Sequence, residues 1–500
     1  MAHPSSHTPV DLSALIKSYD VRGIVPEPFS PEVARAIGAA FATVVVIPDS
    51  GDAGDSTPSD LSKAGGRPRA VVGHDMRDSG PELVAAFVEG LTSAGIDVLN
   101  IGLCSTDGLY HASGVFDIPG AMFTASHNPA EYNGIKLCRA GARPVGQDTG
   151  LSRIKELAEQ YLTVGLPGAA TQLGQVSERS TLGEYAKFLR GLVDISGIRP
   201  LKVVVDAGNG MGGYTVPAVL GSGAGLPALP LDIVPLYFEL DGTFPNHEAN
   251  PLDPKNLVDL QKAVVEHGAD LGLAFDGDAD RCFVVDENGH PVSPSAITAL
   301  VGLREVARER SEGREPTIIH NLITSRAVPD FMEAAGAKTV RTRVGHSFIK
   351  AHMAEENAVF GGEHSAHYYF RDFFFADTGM LAALHVLAAL GEQEHPLSAI
   401  AEMYEPYVAS GEINSTIADV PAARARVVAA YVEEQGGGEV EVDELDGLTV
   451  SHWNSQPQWW FNLRASNTEP LLRLNVEAAD EDMMVKVRDD VLKLIRSEDA

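Results

Sequence analysis

Apolar residues recur at helical spacing in PEVARAIGAAFATV (31–44), which opens with Pro31 behind Ser30. That is a proline in the first turn behind a capping serine, and it predicts a helix. RAVVG (69–73) is a short β-rich run, and PELVAAFVEGLTSAG (81–95) runs from proline to glycine in helical spacing. IDVLNIG (96–102) then returns to strand character. The same alternation recurs in LKVVVDAGNG (201–210), in TIIHNLI (317–323) before SRAVPDFMEAAG, and in AVFGGEHS (358–365). Strands separated by helix-length segments imply α/β units with largely parallel sheets.

Three stretches interrupt the alternation. DSGDAGDSTPSDLSKAGGRPR (49–69) is almost devoid of apolar residues and reads as a surface insertion loop. VGLPGAATQLG (164–174) reads as an inter-domain linker and GLPALPLD (225–232) as a loop within a domain. Beyond about residue 405 the pattern becomes an α+β mixture ending in the amphipathic helix DEDMMVKVRDDVLKLIRS (481–498), so a separate small C-terminal domain is expected.

Composition narrows the class. A chain of 500 residues accommodates two to four domains, and 44% apolar with 21% charged residues is typical of a globular chain. No unbroken apolar stretch reads as membrane-spanning, and MAHPSSHTPV lacks the regions of a secretory signal. The cysteines Cys104, Cys138 and Cys282 have neither disulfide nor zinc spacing, which suits a reducing cytoplasm. A net charge of −31 argues against nucleic acid as a partner. Any anionic substrate must therefore meet cations and backbone amides gathered locally in short motifs.

Such motifs exist. In LGLAFDGDADR (271–281) an apolar strand delivers Asp276, Asp278 and Asp280 at alternating positions. Carboxylates this close repel one another without a cation, and an all-oxygen set suits Mg²⁺ or Ca²⁺. An EF-hand is excluded, because its sixth position requires glycine and holds Arg281. A phosphoaspartyl hydrolase with Asp276 as nucleophile fits the strand followed by D-x-D, although Asp280 stands where that pattern has Thr or Val. In FTASHNPAEYNGIK (123–136), Ser126 sits at a strand-to-turn junction with its hydroxyl expected to be exposed. It is either a turn former or a nucleophile, with His127 and Lys136 nearby. GGEHSAH (361–367) alternates Glu363 and Ser365, which is either a sugar-hydroxyl grip or a polar turn. RASNTEP (464–470) crowds Arg464, Ser466, Asn467 and Thr468 into one turn, as phosphate recognition requires, and also satisfies a helix-capping pattern. YDVRG (19–23) supplies Arg22, GHDMRDSG (73–80) supplies Arg77 and Ser79, and RVGHSFIK (343–350) supplies Gly345 and His346.

In this order the motifs resemble those of the α-D-phosphohexomutases, specifically the bacterial phosphomannomutase/phosphoglucomutase branch. The resemblance runs from YDVRG through TASHNP, DGDADR and GEHS to RASNTEP. It implies three related α/β domains with mixed sheets flanked by helices plus a smaller C-terminal α+β domain, arranged around a central cleft. The corresponding boundaries are 1–165, 166–290, 291–405 and 406–500. It further implies Ser126 as a phosphoserine and Asp276, Asp278 and Asp280 as Mg²⁺ ligands, with a phosphoserine oxygen completing the set. Glu363 and Ser365 would grip the sugar, while Arg464, Ser466, Asn467 and Thr468 would bind the remote phosphate. Arg22, His127, Lys136, Arg281, Gly345 and His346 would surround the transferring group, with Arg22 or Lys136 as proton-transfer partner. The implied reaction converts hexose 6-phosphate and hexose 1-phosphate through a hexose 1,6-bisphosphate. The expected partners are small sugar phosphates, for a cytoplasmic monomer or small homo-oligomer without membrane or nucleic acid. His364 between Glu363 and Ser365 favours mannose and glucose over glucosamine phosphates. Ile323 stands where some members carry a substrate-facing lysine. A phosphoglucosamine mutase and the Asp276 phosphatase are the alternatives.

Overall fold

The computed structural model describes residues 10–17, 19–51, 67–434, 440–465 and 471–497. Most of the insertion expected at 49–69 therefore lies outside the described residues. The chain forms two compact units: Met1–Val292 with Met353–Asn357 and Ser365–Ser398, and Ser293–His352 with Ala358–His364 and Ala399–Ala500.

The first unit contains two mixed sheets. The six-stranded one runs Val21–Ile24, Tyr132–Cys138, Gly120–Phe123, Arg69–His74, Asp97–Leu103 and Val176–Glu178. Its first two neighbour pairs are antiparallel and the others parallel. The edge strand Val176–Glu178 lies beyond the expected limit at residue 165. The five-stranded sheet runs Pro291–Val292, Cys282–Asp286, Leu271–Phe275, Leu201–Asp206 and Leu231–Leu236, again antiparallel at one side and parallel at the other. This unit also holds the antiparallel hairpin Tyr368–Phe370/Ala376–Asp377 and the helix Gly379–Gly391.

The predicted first helix forms over Pro31–Phe41, with Ser30 Oγ accepting from the Val33 amide at 3.3 Å. It runs on through a π-helical turn, Ala42–Val46, into Ile47–Gly51. The stretch Pro31–Ser50, 20 residues, is long and apolar enough to cross a membrane, which the sequence reading did not anticipate. Its apolar face is instead packed into the core: Ala34, Ile37, Phe41 and Val45 are buried together with Phe87 and Phe123.

In the second unit, Lys338–Thr342, Thr317–Asn321 and Phe360–Gly362 pair in parallel. The chain end builds an all-antiparallel sheet in the order Val408–Thr416, Leu471–Ala478, Trp459–Ala465, Leu448–Ser451, Glu441–Asp443. The predicted terminal helix covers Glu481–Arg496, capped by Asp480, and buries Met484, Val487, Val491 and Ile495. These observations match the expected mixed α/β organisation followed by an α+β domain.

Candidate active site

Strand Gly120–Phe123, parallel to Arg69–His74 and antiparallel to Tyr132–Cys138, carries the chain into the turn that holds Ser126. Ser126 has φ of +49°, a left-handed conformation uncommon for serine. Its amide donates to Thr124 Oγ1 at 2.9 Å. The guanidinium of Arg77 fixes the rest of the turn by donating to the carbonyls of Ser126 (3.0 Å), Asn128 (2.7 Å), Pro129 (2.7 Å) and Tyr132 (2.8 Å). Arg77 is itself buried against Asp75 at 3.3 Å. The Ser126 hydroxyl was expected at the surface; the residue is only 4% exposed, because the aspartate loop packs against the turn.

That loop connects the antiparallel strands Leu271–Phe275 and Cys282–Asp286. Ser126 Oγ donates to Asp276 Oδ2 at 2.8 Å, and Arg281 Nε donates to the same oxygen at 2.9 Å. The Arg281 amide reaches Asp276 Oδ1 at 3.2 Å. Lys136, on strand Tyr132–Cys138, donates to Asp278 Oδ2 at 2.7 Å and Asp280 Oδ2 at 2.5 Å. All three aspartates are fully buried, and they offer oxygens lying within 4.8 Å of one another. Asp278 Oδ1 and Asp280 Oδ1 are buried and have no hydrogen-bond partner among the described residues. Two free, converging carboxylate oxygens beside a third carboxylate fit a hard divalent cation.

Burial pushes the Asp276 carboxyl up to about 7, against the pull of Arg281. Burial acts the same way on Asp278, but Lys136 and the Thr106 hydroxyl hold it well below the usual carboxylate range. Lys136 loses hydration too, yet Asp278, Asp280 and Asp377 raise it above its ordinary value. It is therefore a fixed positive charge in this arrangement. His127 is pushed well below its ordinary value by burial and then by Arg281 and Arg22. The geometry agrees: Arg281 Nη2 lies 2.5 Å from His127 Nδ1. A guanidinium can only donate, so Nδ1 accepts and the ring is neutral. Arg22, on strand Val21–Ile24, holds the other side of the turn through Asn128 Oδ1 at 2.6 Å and is paired with Asp20 at 2.6 Å.

The structure thus brings Ser126, His127, Lys136, Arg22, Asp276, Asp278, Asp280 and Arg281 into one cluster. Ser365 lies in the same unit, its Oγ 3.0 Å from His367 Nδ1. His367 Nε2 is 3.7 Å from Asp280 Oδ1, and Asp377 belongs to the same group. Sequence reasoning left these two unassigned, although His367 stands within GGEHSAH. It named Arg77 after the strand Arg69–His74 but gave it no role.

Gly345, Glu363 and Arg464 belong to the second unit. Gly345, at φ +131°, precedes helix His346–Glu355 and accepts from the Phe348 amide at 3.1 Å. Glu363 is buried and accepts from Asn321 Nδ2 at 3.1 Å. Arg464 Nε is buried without a hydrogen-bond partner among the described residues. His364 and Ile323 line one cavity of about 290 Å³ with Ser325, Tyr407, Trp460 and Glu477. The His346 side chain and Ser466, Asn467 and Thr468 lie outside the described residues.

Comparison with known proteins matches four successive segments of the chain. Residues 13–163, 183–289 and 293–407 match the phosphoglucomutase/phosphomannomutase alpha/beta/alpha domains I, II and III, and 412–494 match the C-terminal domain of that family. The chain is 38% identical over 484 residues to a protein named phosphohexose mutases from Xanthomonas campestris, covering 96% of this chain and 98% of that one. It is 38% identical over 475 residues to a phosphomannomutase of Salmonella typhimurium, covering 94% and 96%. A crystal structure of a phosphoglucomutase/phosphomannomutase family protein from Burkholderia thailandensis superposes with a TM-score of 0.81 at 27% identity, covering 98% of this chain and 99% of that one.

Proposed function

The chain belongs to the phosphoglucomutase/phosphomannomutase family, and we propose that it interconverts hexose 6-phosphates and hexose 1-phosphates of mannose and glucose. The proposed route runs through a phosphoserine at Ser126 and a hexose 1,6-bisphosphate. The observation that carries this reading is the Ser126 hydroxyl, buried 2.8 Å from Asp276 and 3.4 Å from Arg281 Nη2, beside an aspartate loop that Lys136 also holds.

Asp276, Asp278 and Asp280 would hold Mg²⁺, which when bound supplies positive charge next to the phosphoryl group on Ser126. Phosphoryl transfer through a loose transition state depends on positioning and on neutralising charge spread over the phosphoryl oxygens. Arg281, with Nη2 3.4 Å from Ser126 Oγ, suits the second task. In the forward half, phosphoserine gives its phosphoryl group to a sugar hydroxyl, whose proton ends on the departing serine oxygen. In the second half, the other phosphoryl group of the bisphosphate moves to the serine oxygen, whose proton ends on the sugar oxygen that is released. Lys136 and Arg22 serve as charge and positioning groups, and His127, with an accepting Nδ1, orients Arg281. Glu363 and Ser365 would grip sugar hydroxyls, and Arg464, with Ser466, Asn467 and Thr468, would take the remote phosphate. Gly345 and His346 would complete the surround. Three buried cysteines in no disulfide fit work in a reducing cytoplasm.

A phosphatase using Asp276 as nucleophile is less favoured, since both Asp276 oxygens already accept hydrogen bonds from Ser126 and Arg281. The cavity lined by His364 and Ile323 unites the two departures from the family's motifs, of which His364 bears on sugar choice. Phosphopeptide mapping, with a coupled assay on mannose, glucose and glucosamine 1-phosphates and a bisphosphate activator, tests the proposal. Phosphate is expected on Ser126, and Ser126→Ala is expected to remove nearly all turnover with the fold intact. Phosphate on Asp276 together with full activity of Ser126→Ala would overturn it.

A further inference from the structure

We propose that Thr106 is a positioning residue for the cation site, and that the buried Asp107 carboxylate locks it in place. The pair rests on the cation reading made above but belongs to none of the motifs that led to it.

Thr106 opens helix Thr106–Phe116, whose cap is Ser105, with Oγ accepting from the Gly108 amide at 3.2 Å. It grips the aspartate loop twice. Its hydroxyl donates to Asp278 Oδ2 at 2.5 Å, and its amide donates to the Asp278 carbonyl at 3.0 Å. Lys136 donates to the same Oδ2 at 2.7 Å. One oxygen of Asp278 therefore has two donors and the other, buried Oδ1, has none. Rotating the carboxylate to exchange them would break both bonds inside a dry site, where unpaired polar groups are costly. The Thr106 hydroxyl thus selects the oxygen left for a cation. Without it, Lys136 is free to draw the carboxylate round, with one oxygen no longer fixed.

Asp107 explains why Thr106 cannot yield. Its carboxylate is fully buried and accepts from Ser105 Oγ, from Tyr185 at 2.6 Å and from Thr378 at 2.7 Å. Those hydroxyls come from the segment before its own helix, from helix Leu182–Leu192 and from the cap of helix Gly379–Gly391. Hydrogen bonds to an ionised acceptor in a low-dielectric site are the strong ones. The last helix also abuts the far end of the aspartate loop: a Cβ on Gly379 would stand 2.5 Å from the Arg281 carbonyl carbon. One carboxylate therefore anchors both Thr106, at the middle of the loop, and a helix packed on its end at Arg281.

The test is metal binding by the purified full-length protein, with Mn²⁺ followed by electron paramagnetic resonance and Mg²⁺ by calorimetry. Thr106→Val keeps the shape and the backbone amide but removes the hydroxyl. Its affinity is expected to fall about 10–100-fold, the usual cost of losing a group that orients a metal ligand. Thr106→Ser keeps the hydroxyl and is expected to bind within about threefold of the parent, on the same principle. Equal affinity of Thr106→Val and the parent overturns the inference, as does an equal loss in the valine and serine variants, which would point to the methyl group. Should Thr106→Val not fold, Thr106→Ala against Thr106→Ser reads the same hydroxyl. Failure of the parent itself to bind either ion would overturn the cation reading, and this inference with it.

Discussion

Replacing Gly277 by alanine addresses the central contact of the proposed site. Gly277 lies between two of the aspartates, and its idealised Cβ would stand 2.3 Å from the Ser126 carbonyl oxygen and 3.2 Å from its carbon. Ordinary contact begins near 3.4 Å, so the two loops must separate by about 1.1 Å, an overlap of the kind that costs about 1–3 kcal/mol in a packed interior. Neither loop can withdraw freely. The Ser126 carbonyl is held by Arg77 at 3.0 Å, and the Gly277 carbonyl by the Met211 amide at 2.9 Å. The displacement therefore falls on the 2.8 Å link from Ser126 Oγ to Asp276. A misplacement of about 1 Å between reacting groups costs on the order of 10²-fold in rate. A coupled assay that converts glucose 1-phosphate to a dehydrogenase substrate is expected to show kcat about 100-fold down. KM should change little, because none of the residues proposed to hold the sugar or its second phosphate is altered. A variant that turns over within threefold of the parent, with unchanged thermal unfolding, would refute the reasoning.

Two further outcomes follow from groups around this site. Arg77→Met removes the fork that holds four carbonyls and strands the buried Asp75 charge, so denaturant unfolding should show a loss of about 3–5 kcal/mol; unchanged unfolding would count against the cradle. Burial pushes Asp107 up to about 6, above its value in an unfolded chain. The stability this group contributes is thus fully present below about pH 4 and lost as pH rises through about 6. Asp107→Asn does not titrate, so its Tm relative to the parent should be more favourable at pH 7.5 than at pH 4.5, and an equal difference at both would contradict the shift.

The alternating architecture was legible because each buried strand is written as a compact apolar run and each helix as an amphipathic one. RAVVG and IDVLNIG became neighbouring parallel strands, Arg69–His74 and Asp97–Leu103, close to where the pattern put them. The first helix overran its reading because the apolar run has no stop signal before Ile47 and Val45 and Val46 remain buried in a π-helical turn. In the site, residues of contiguous motifs were legible because unusual residue types stand close together in sequence: three carboxylates in DGDAD, or a serine beside His127. Thr106 and Asp107 were not, and Arg77 was named without a role, since each is an ordinary residue whose importance arises from partners up to 271 positions away, as in the Asp107–Thr378 bond. The burial of Ser126 was hidden for the same reason, being imposed by residues about 150 positions later.

The backbone of Ser126 carries one more implication. At φ +49° a serine is strained, whereas glycine, with no Cβ, accepts this geometry readily. Fold stability alone would therefore prefer a different residue there. A stabilisation campaign guided only by thermal tolerance would drift toward glycine at this turn, gaining robustness while discarding the oxygen on which the proposed chemistry depends.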